Sequence, residues 1–241
     1  MAGDGVVTTA VLVPAAGRGD RLGAGVAKAL RQVRGEPLLV HALRALLAAP
    51  SVSVVVVAAP PDGVQTVSDL LGQHLPGAPV SVVAGGATRQ ESVAAALAVL
   101  PSEVDVVLVH DAARAFVPPS LVEAVVAAVR GGAVAAVPGL PIHDTVRFLA
   151  DDGTAAQTLD RSRLRAVQTP QGFVRSVLDQ AHRAAAQDGR TATDDAALVE
   201  SAGGRVVVVE GADEAFKVTR PIDLLLAGAL VDHRAASART R

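Results

Sequence analysis

From Val11 to Lys28 the sequence reads VLVPAAGRGDRLGAGVAK, an apolar β-branched run that opens into glycine, alanine and cations. Ala15, Ala16, Gly17 and Gly19 have little or no side chain, so the backbone can approach a ligand and turn successive N–H groups toward anionic oxygens. Arg18, Arg21 and Lys28 place positive charge around the same turn. The chemistry this suggests is phosphate binding; an ordinary surface turn is the alternative. Two better-known phosphate motifs do not fit. A dinucleotide fingerprint would need a third glycine nearer than Gly23 and a helix opening at once, and a Walker A loop would need Ser or Thr after Lys28, where Ala29 stands.

A second small-residue turn, GGATRQESV over 85–93, ends a strand and carries Arg89 and Ser92 into a helix. It suits the polar edges of a base or ribose, or else is a plain tight turn. The segment HDAAR, His110 to Arg114, follows the most apolar strand. A carboxylate at the end of a central strand, Asp111, is well placed for Mg²⁺ bridging phosphate oxygens, and Ala112 and Ala113 leave room for a nucleotide. His110 has no second histidine at a ligand spacing and reads as structural. Thr193-Asp194-Asp195 reads as a helix N-cap. In GADEAFKVTRP, 211–221, Asp213, Lys217 and Arg220 suit a metal–phosphate or anionic-substrate site, with a surface salt-bridge cluster as the alternative.

The elements that must carry these groups alternate between strand and helix. Strands are expected at 6–13, 52–58, 80–84, 104–110, 133–138 and 205–209. Helices are expected at 37–48, 89–100, 119–130, 173–187, 194–202 and from Pro221 to about Asp232. Such alternation means βαβ units around a mostly parallel sheet, with ligands at the carboxyl ends of its strands. The 241 residues fit one domain, 1–241, and show no linker and no repeat. The rhythm breaks between 139 and 168, where two polar extended stretches, about 144–149 and 156–160, flank Asp151-Asp152-Gly153-Thr154. That is an inserted hairpin too polar to stabilise itself, expected to pack on another surface such as a second subunit, with a loose surface excursion as the alternative.

Composition excludes several classes. Lys and Arg total 22 against 24 Asp and Glu, so no general basic field draws nucleic acid or anionic membrane. There is no cysteine, hence no thiolate nucleophile, disulfide or cysteine-bound zinc, which fits a cytoplasmic setting. Four Phe with no Tyr or Trp give poor stacking platforms for single strands. No apolar run reaches the roughly 18 residues of a membrane span, and Asp4 without a basic leader speaks against a signal peptide.

Taken together, PAAGxGxR (Pro14–Arg21) with Lys28, GGxxRxxS (Gly85–Ser92), HDAAR, Asp144-Thr145, Asp160-Arg161, QTPQ (Gln168–Gln171), Thr193-Asp194-Asp195 and DxxxKVTRP (Asp213–Pro221) resemble the 2-C-methyl-D-erythritol 4-phosphate cytidylyltransferases over about Val11 to Ala229. The resemblance implies a Rossmann-like nucleotidyltransferase fold with a β-arm, 139–168, that interlocks two subunits. It also implies Mg²⁺ and cytidylyl transfer from CTP to 2-C-methyl-D-erythritol 4-phosphate. Ala15, Ala16, Gly17, Arg21 and Lys28 then match the triphosphate grip, Gly86 and Ser92 cytosine recognition, and Asp111 with Ala112 the ribose and metal side. Thr145, Arg161, Thr169, Asp213 and Lys217 match the acceptor site, with Arg161 coming from the partner's arm. Arg21, Lys28 and Lys217 match catalytic positions, and Asp213 is the expected second metal carboxylate beside Asp111. Ala87 stands where a polar residue is usual, which shifts base or ribose contacts onto backbone. Ribitol-phosphate cytidylyltransferases and sugar-nucleotide pyrophosphorylases share the loop logic and are the nearest rivals; a non-catalytic nucleotide-binding module is the distant one.

Overall fold

The computed structural model describes residues 8–17 and 28–239. The first strand, β1 (Thr8–Pro14), is buried through its middle because its apolar residues face both ways. Beyond it lie the two-residue strands β2 (Gln32–Val33) and β3 (Glu36–Pro37), which form a small hairpin, and then α1 (Leu38–Leu47). Pro37 is the N-cap of α1, one position outside the N1 place expected for it. Leu39, Leu43 and Leu46 of that helix are fully buried, each such burial stabilising by about 1.5–3 kcal/mol.

The βα alternation continues through β4 (Val52–Ala59), α2 (Val64–His74), β5 (Val80–Ala84), α3 (Arg89–Ala98), β6 (Val104–Val109), α4 (Pro119–Arg130) and β7 (Ala135–Pro141). Next come β8 (Arg147–Leu149), β9 (Ala155–Thr158), β10 (Arg165–Val167), β11 (Gln171–Val174), α5 (Arg175–Gln187), α6 (Asp195–Ser201), β12 (Val206–Glu210) and α7 (Pro221–Arg239). The main sheet runs β10-β7-β11-β6-β1-β4-β5, with β12 also pairing β7. β1, β4, β5 and β6 are mutually parallel where they pair, as are β7 and β12. β10 and β11 run antiparallel to their neighbours, so the sheet is mixed but mostly parallel.

Alternation along β1 splits the core. Val11 and Val13 face α1, α2 and α4, while Ala10 and Leu12 face α3, α5 and α6. β4 lies on one side of β1 and β6 on the other, so the direction of winding reverses at β1/β6 and opens a crevice beyond their carboxyl ends.

Three expectations shift. The helix expected from 173 begins at Arg175, because 171–174 forms β11 between β6 and β7. The last helix does not end near Asp232 but continues to Arg239. The inserted hairpin is shorter than expected, 147–149 with 155–158, and turns at Gly153 with φ of +81°. Its base is closed by β10 on β7, pairing Arg165 with Pro141 and Val167 with Gly139. β8 and β9 form a sheet of their own, every residue of both is exposed, and Phe148 and Leu149 are 61% and 56% accessible.

Candidate active site

A cleft of about 240 Å³ lies at the β1/β6 crevice, lined by residues 14–17, Ala29, 86–89, Ser92, 111–113 and Lys217. It gathers Ala15, Ala16, Gly17, Gly86, Ser92, Asp111, Ala112 and Lys217 from the expected site. Gly17 has open space where a Cβ would be, so its backbone faces the cleft without obstruction. Lys28 begins the 3-10 turn Lys28–Leu30, whose Ala29 lines the cleft. Arg21, with Arg18 and Gly19, lies outside the described residues.

The turn after β5 is held by its own side chains. Thr88 caps α3 by accepting from Glu91 N (3.1 Å), and the Glu91 carboxylate accepts from Thr88 N (3.3 Å) and Ala87 N (2.7 Å). Ser92 Oγ accepts from Gly86 N (3.2 Å) and donates to Thr88 O (2.9 Å). A Cβ on Gly85 would come within 2.8 Å of Ser92 Oγ, and one on Gly86 within 2.3 Å of Glu91 Cβ. Both glycines are therefore packing requirements, and of the backbone expected to take over base or ribose contacts at Ala87 the N–H is already engaged by Glu91.

Asp111 is the electrostatic centre. Its Oδ2 accepts from Lys217 Nζ at 2.6 Å and its Oδ1 from Arg89 Nε at 3.3 Å. Burial opposes ionisation of Asp111, but the charges of Arg89 and Lys217, with the Lys217 hydrogen bond, outweigh it and hold the carboxyl well below the usual range. Behind it, Asp111 N donates to Thr169 Oγ1 (3.0 Å), and Thr169 Oγ1 lies 3.2 Å from His110 Nδ1. His110 Nε2 lies 3.1 Å from Arg114 O, a pure acceptor, so the ring proton is on Nε2 and Thr169 donates to Nδ1. Burial pushes the His110 pKa down to about 4, which keeps the ring neutral. Thr169 is thus buried behind Asp111 rather than in the cleft lining.

The loop carrying Lys217 is strapped from two sides. Gln168 exchanges hydrogen bonds with both backbone groups of Ala212 (2.8 and 3.0 Å), and Arg114 donates to Ala215 O (2.7 Å) and Val167 O (3.1 Å). Val218 N donates to Ala113 O at 2.9 Å. Asp213, Lys217 and Arg220 do not gather as one cluster. Lys217 goes to Asp111, Arg220 lies 3.8 Å from Asp223, and Asp213 is exposed and outside the cleft lining. Thr145 and Arg161 are also exposed, on the arm, where Arg161 donates to His143 O.

The residues that sequence reasoning underweighted are Arg89 and Asp195. Asp194 is the α6 N-cap, accepting from Ala197 N (2.9 Å), as the spacing suggested. Asp195 instead points inward and binds Arg89 and His182. Nothing local in Thr193-Asp194-Asp195 distinguishes the capping carboxylate from the buried one.

A switch-point cleft with a glycine-rich turn on one wall and an ionised, doubly paired carboxylate on the other defines an α/β protein of the nucleotidyltransferase type. The sequence model of the 2-C-methyl-D-erythritol 4-phosphate cytidylyltransferases matches residues 9–233, and the chain belongs to that family. The enzyme of that name from Streptomyces avermitilis is 53% identical over 234 residues, covering 94% of this chain and 92% of the relative. Its counterpart from Saccharopolyspora erythraea is 52% identical over 229 residues, covering 93% and 100%. Among solved structures, the Thermus thermophilus cytidylyltransferase superposes with a TM-score of 0.73 at 39% identity, over 93% of this chain and 98% of that one. The Anaerococcus prevotii 4-diphosphocytidyl-2C-methyl-D-erythritol synthase shares the fold with a TM-score of 0.82 at 24% identity, over 94% and 99%.

Proposed function

We propose that this cleft transfers the cytidylyl group of CTP to 2-C-methyl-D-erythritol 4-phosphate, releasing pyrophosphate and 4-diphosphocytidyl-2-C-methyl-D-erythritol. The observation that carries the reading is Asp111 held between Lys217 and Arg89, across the cleft from the bare backbone of residues 15–17. An acceptor phosphate oxygen attacks the α-phosphorus of CTP, and the bond from that phosphorus to pyrophosphate breaks. The second pKa of a phosphate monoester is about 6, so the nucleophile is already largely deprotonated near neutral pH and needs no strong general base. The obstacle is repulsion between anions together with charge developing on the transferring group, and positioning and cations relieve it.

Arg21, Lys28 and the amides of Ala16 and Gly17 hold the triphosphate, while Ala15, whose N–H is taken by Ala58 O at 2.8 Å, lines the cleft; Lys28 and Arg21 stabilise the departing pyrophosphate. Gly86 and Ser92 shape the cytosine end, and Asp111 with Ala112 takes the ribose side. Lys217, Asp213 and Thr169 belong to the acceptor side, Lys217 by its charge and Thr169 by fixing the Asp111 backbone. Mg²⁺ fits this donor set in one way. Among the described residues no three acidic or histidine groups converge, but Mg²⁺ is commonly held by one or two carboxylates plus substrate phosphates. The ionised Asp111 is such a carboxylate. Asp213 stands four residues before Lys217 on the same loop and is the second candidate. When bound, the ion would neutralise phosphate charge.

The arm makes a homodimer, in which Arg161 of the partner subunit completes each cleft and Thr145 belongs to the acceptor site. This reading is supported by the exposure of Phe148 and Leu149 on a two-stranded hairpin, which is marginal without a partner surface. A cytoplasmic setting suits a chain without cysteine. Among the described residues no helix is long and apolar enough to cross a membrane.

The test is pyrophosphate release with CTP and Mg²⁺ in the presence of methylerythritol phosphate, ribitol 5-phosphate or a sugar 1-phosphate. Turnover with the first and background with the others is the expected result. Preference for either alternative acceptor overturns the assignment.

A further inference from the structure

Asp195 and His182 form a buried ionisable pair that the transfer chemistry above leaves unused; they are 1% and 6% exposed. They stand on separate helices, Asp195 as the first residue of α6 and His182 within α5. His182 Nε2 lies 3.0 Å from Asp195 Oδ1, and Asp195 Oδ2 accepts from Arg89 Nη1 at 2.6 Å. Arg89 in turn gives its Nε to Asp111 in the cleft. The start of α6 is itself anchored, since Gln171 donates to the Asp194 carboxylate (2.7 Å) and accepts from Ala196 N (3.2 Å). A chain of contacts therefore runs from α5 through α6 and α3 to the end of β6.

The guanidinium of Arg89 is shared between a carboxylate in the cleft and one behind it. Burial opposes the charge on Asp195, and the His182 hydrogen bond and the Arg89 charge hold its carboxyl below the ordinary range. A long arginine side chain loses its rotamer freedom only when several bonds fix it. Without the rear carboxylate, Arg89 would close fully on Asp111 or swing across the space beside Gly86 and Ser92.

We propose that Asp195, oriented by His182, is a positioning residue for cytidylyl transfer: it holds Arg89 in the placement that lines the nucleotide end of the cleft. This rests on the reading of the cleft as the CTP site.

The experiment is a kinetic cycle on the full chain with CTP and the acceptor, comparing D195N, R89A and the double variant. D195N puts an amide where Arg89 and His182 both expect an acceptor. Contacting residues typically show coupling, so the expected result is a rise of about tenfold in the KM for CTP with the acceptor KM nearly unchanged. In the R89A background D195N should then cost nothing further in kcat/KM for CTP. His182→Gln, which keeps an N–H donor, should hold CTP kinetics near wild type, whereas His182→Leu should follow D195N in the same direction. If D195N does not fold, His182→Leu in the wild-type and R89A backgrounds reads the same coupling. Additive losses in the double variant, or parallel rises in both KM values, would mean Asp195 serves the fold alone and overturn the proposal. If R89A by itself leaves the CTP parameters unchanged, the fault is the placement of the nucleotide, and the proposal falls with that premise.

Discussion

Lys217 Nζ lies 2.6 Å from Asp111 Oδ2 and so ties the loop before α7 to the end of the central strand β6. The lysine remains 42% exposed on its side chain, so it is anchored at one side and open to a ligand on the other. Removing it takes away one of the two cationic partners of a half-buried carboxylate and a cation from the acceptor side.

Lys217→Ala should therefore raise the acceptor KM at least as much as it lowers kcat, since the group meets the attacking phosphate before and during reaction. Steady-state kinetics with CTP saturating checks this. An unchanged acceptor KM would remove Lys217 from the acceptor site.

Gly86→Ala should damage the cytosine end specifically. The new methyl would meet Glu91 Cβ at 2.3 Å and Glu91 Oε2 at 2.7 Å, which opens the Thr88–Glu91 capping box. Overpacking of this kind costs about 1–3 kcal/mol. Wild-type discrimination of CTP over UTP should be about 5- to 150-fold in kcat/KM, the value of one buried polar partner, and G86A should erode it. Urea unfolding and competition between the two nucleotides measure the two effects; equal use of CTP and UTP by the wild type would end the idea.

His110 should make stability depend on pH in a defined window. The unfolded imidazole takes a proton near pH 6.5, whereas the folded one takes it only near pH 4. The unfolded chain thus binds more protons between those values, so stability is full above about 6.5 and falls as pH is lowered toward 4, by about 3 kcal/mol. Asp111 and Asp195, whose folded pKa values are lowered, lose their contributions only as pH falls below the ordinary carboxylate range. Urea midpoints from pH 7 to 4 should slope in wild type and flatten in His110→Gln; parallel slopes would assign the effect elsewhere.

Lys28→Ala should lower kcat by about 10²–10³-fold, the usual worth of one well-placed electrostatic group in a transition state. Mixed with Arg161→Ala it should also reveal the arm's role. If Arg161 completes the neighbouring cleft, a heterodimer puts both lesions in one composite site and leaves the other whole. Random reassembly of equal amounts then restores about a quarter of wild-type activity. Differentially tagged heterodimers that release no more pyrophosphate than the parents would place Arg161 in its own subunit's cleft.

The sequence by itself determined whatever depends on neighbours along the chain. Apolar β-branched runs alternating with helical periodicity dictated the βα rhythm. The Asp151–Thr154 turn dictated the hairpin, and an acidic residue ahead of a helix dictated the Asp194 cap. The glycine-rich turn and HDAAR were legible as strand-end features, and the parallel sheet brings both to one cleft. Tertiary structure alone decided which side chains meet across long separations. It chose Arg89 and Lys217 as the partners of Asp111, buried Asp195 against His182, and put Thr169 behind the Asp111 amide instead of in the cleft. It also inserted β11, four residues with no periodicity of their own, between β6 and β7. The physical reason is that turn and helix signals are written in local dihedral and capping preferences. The identity of an ion-pair partner and the pairing of a short strand follow from packing that the whole sheet imposes.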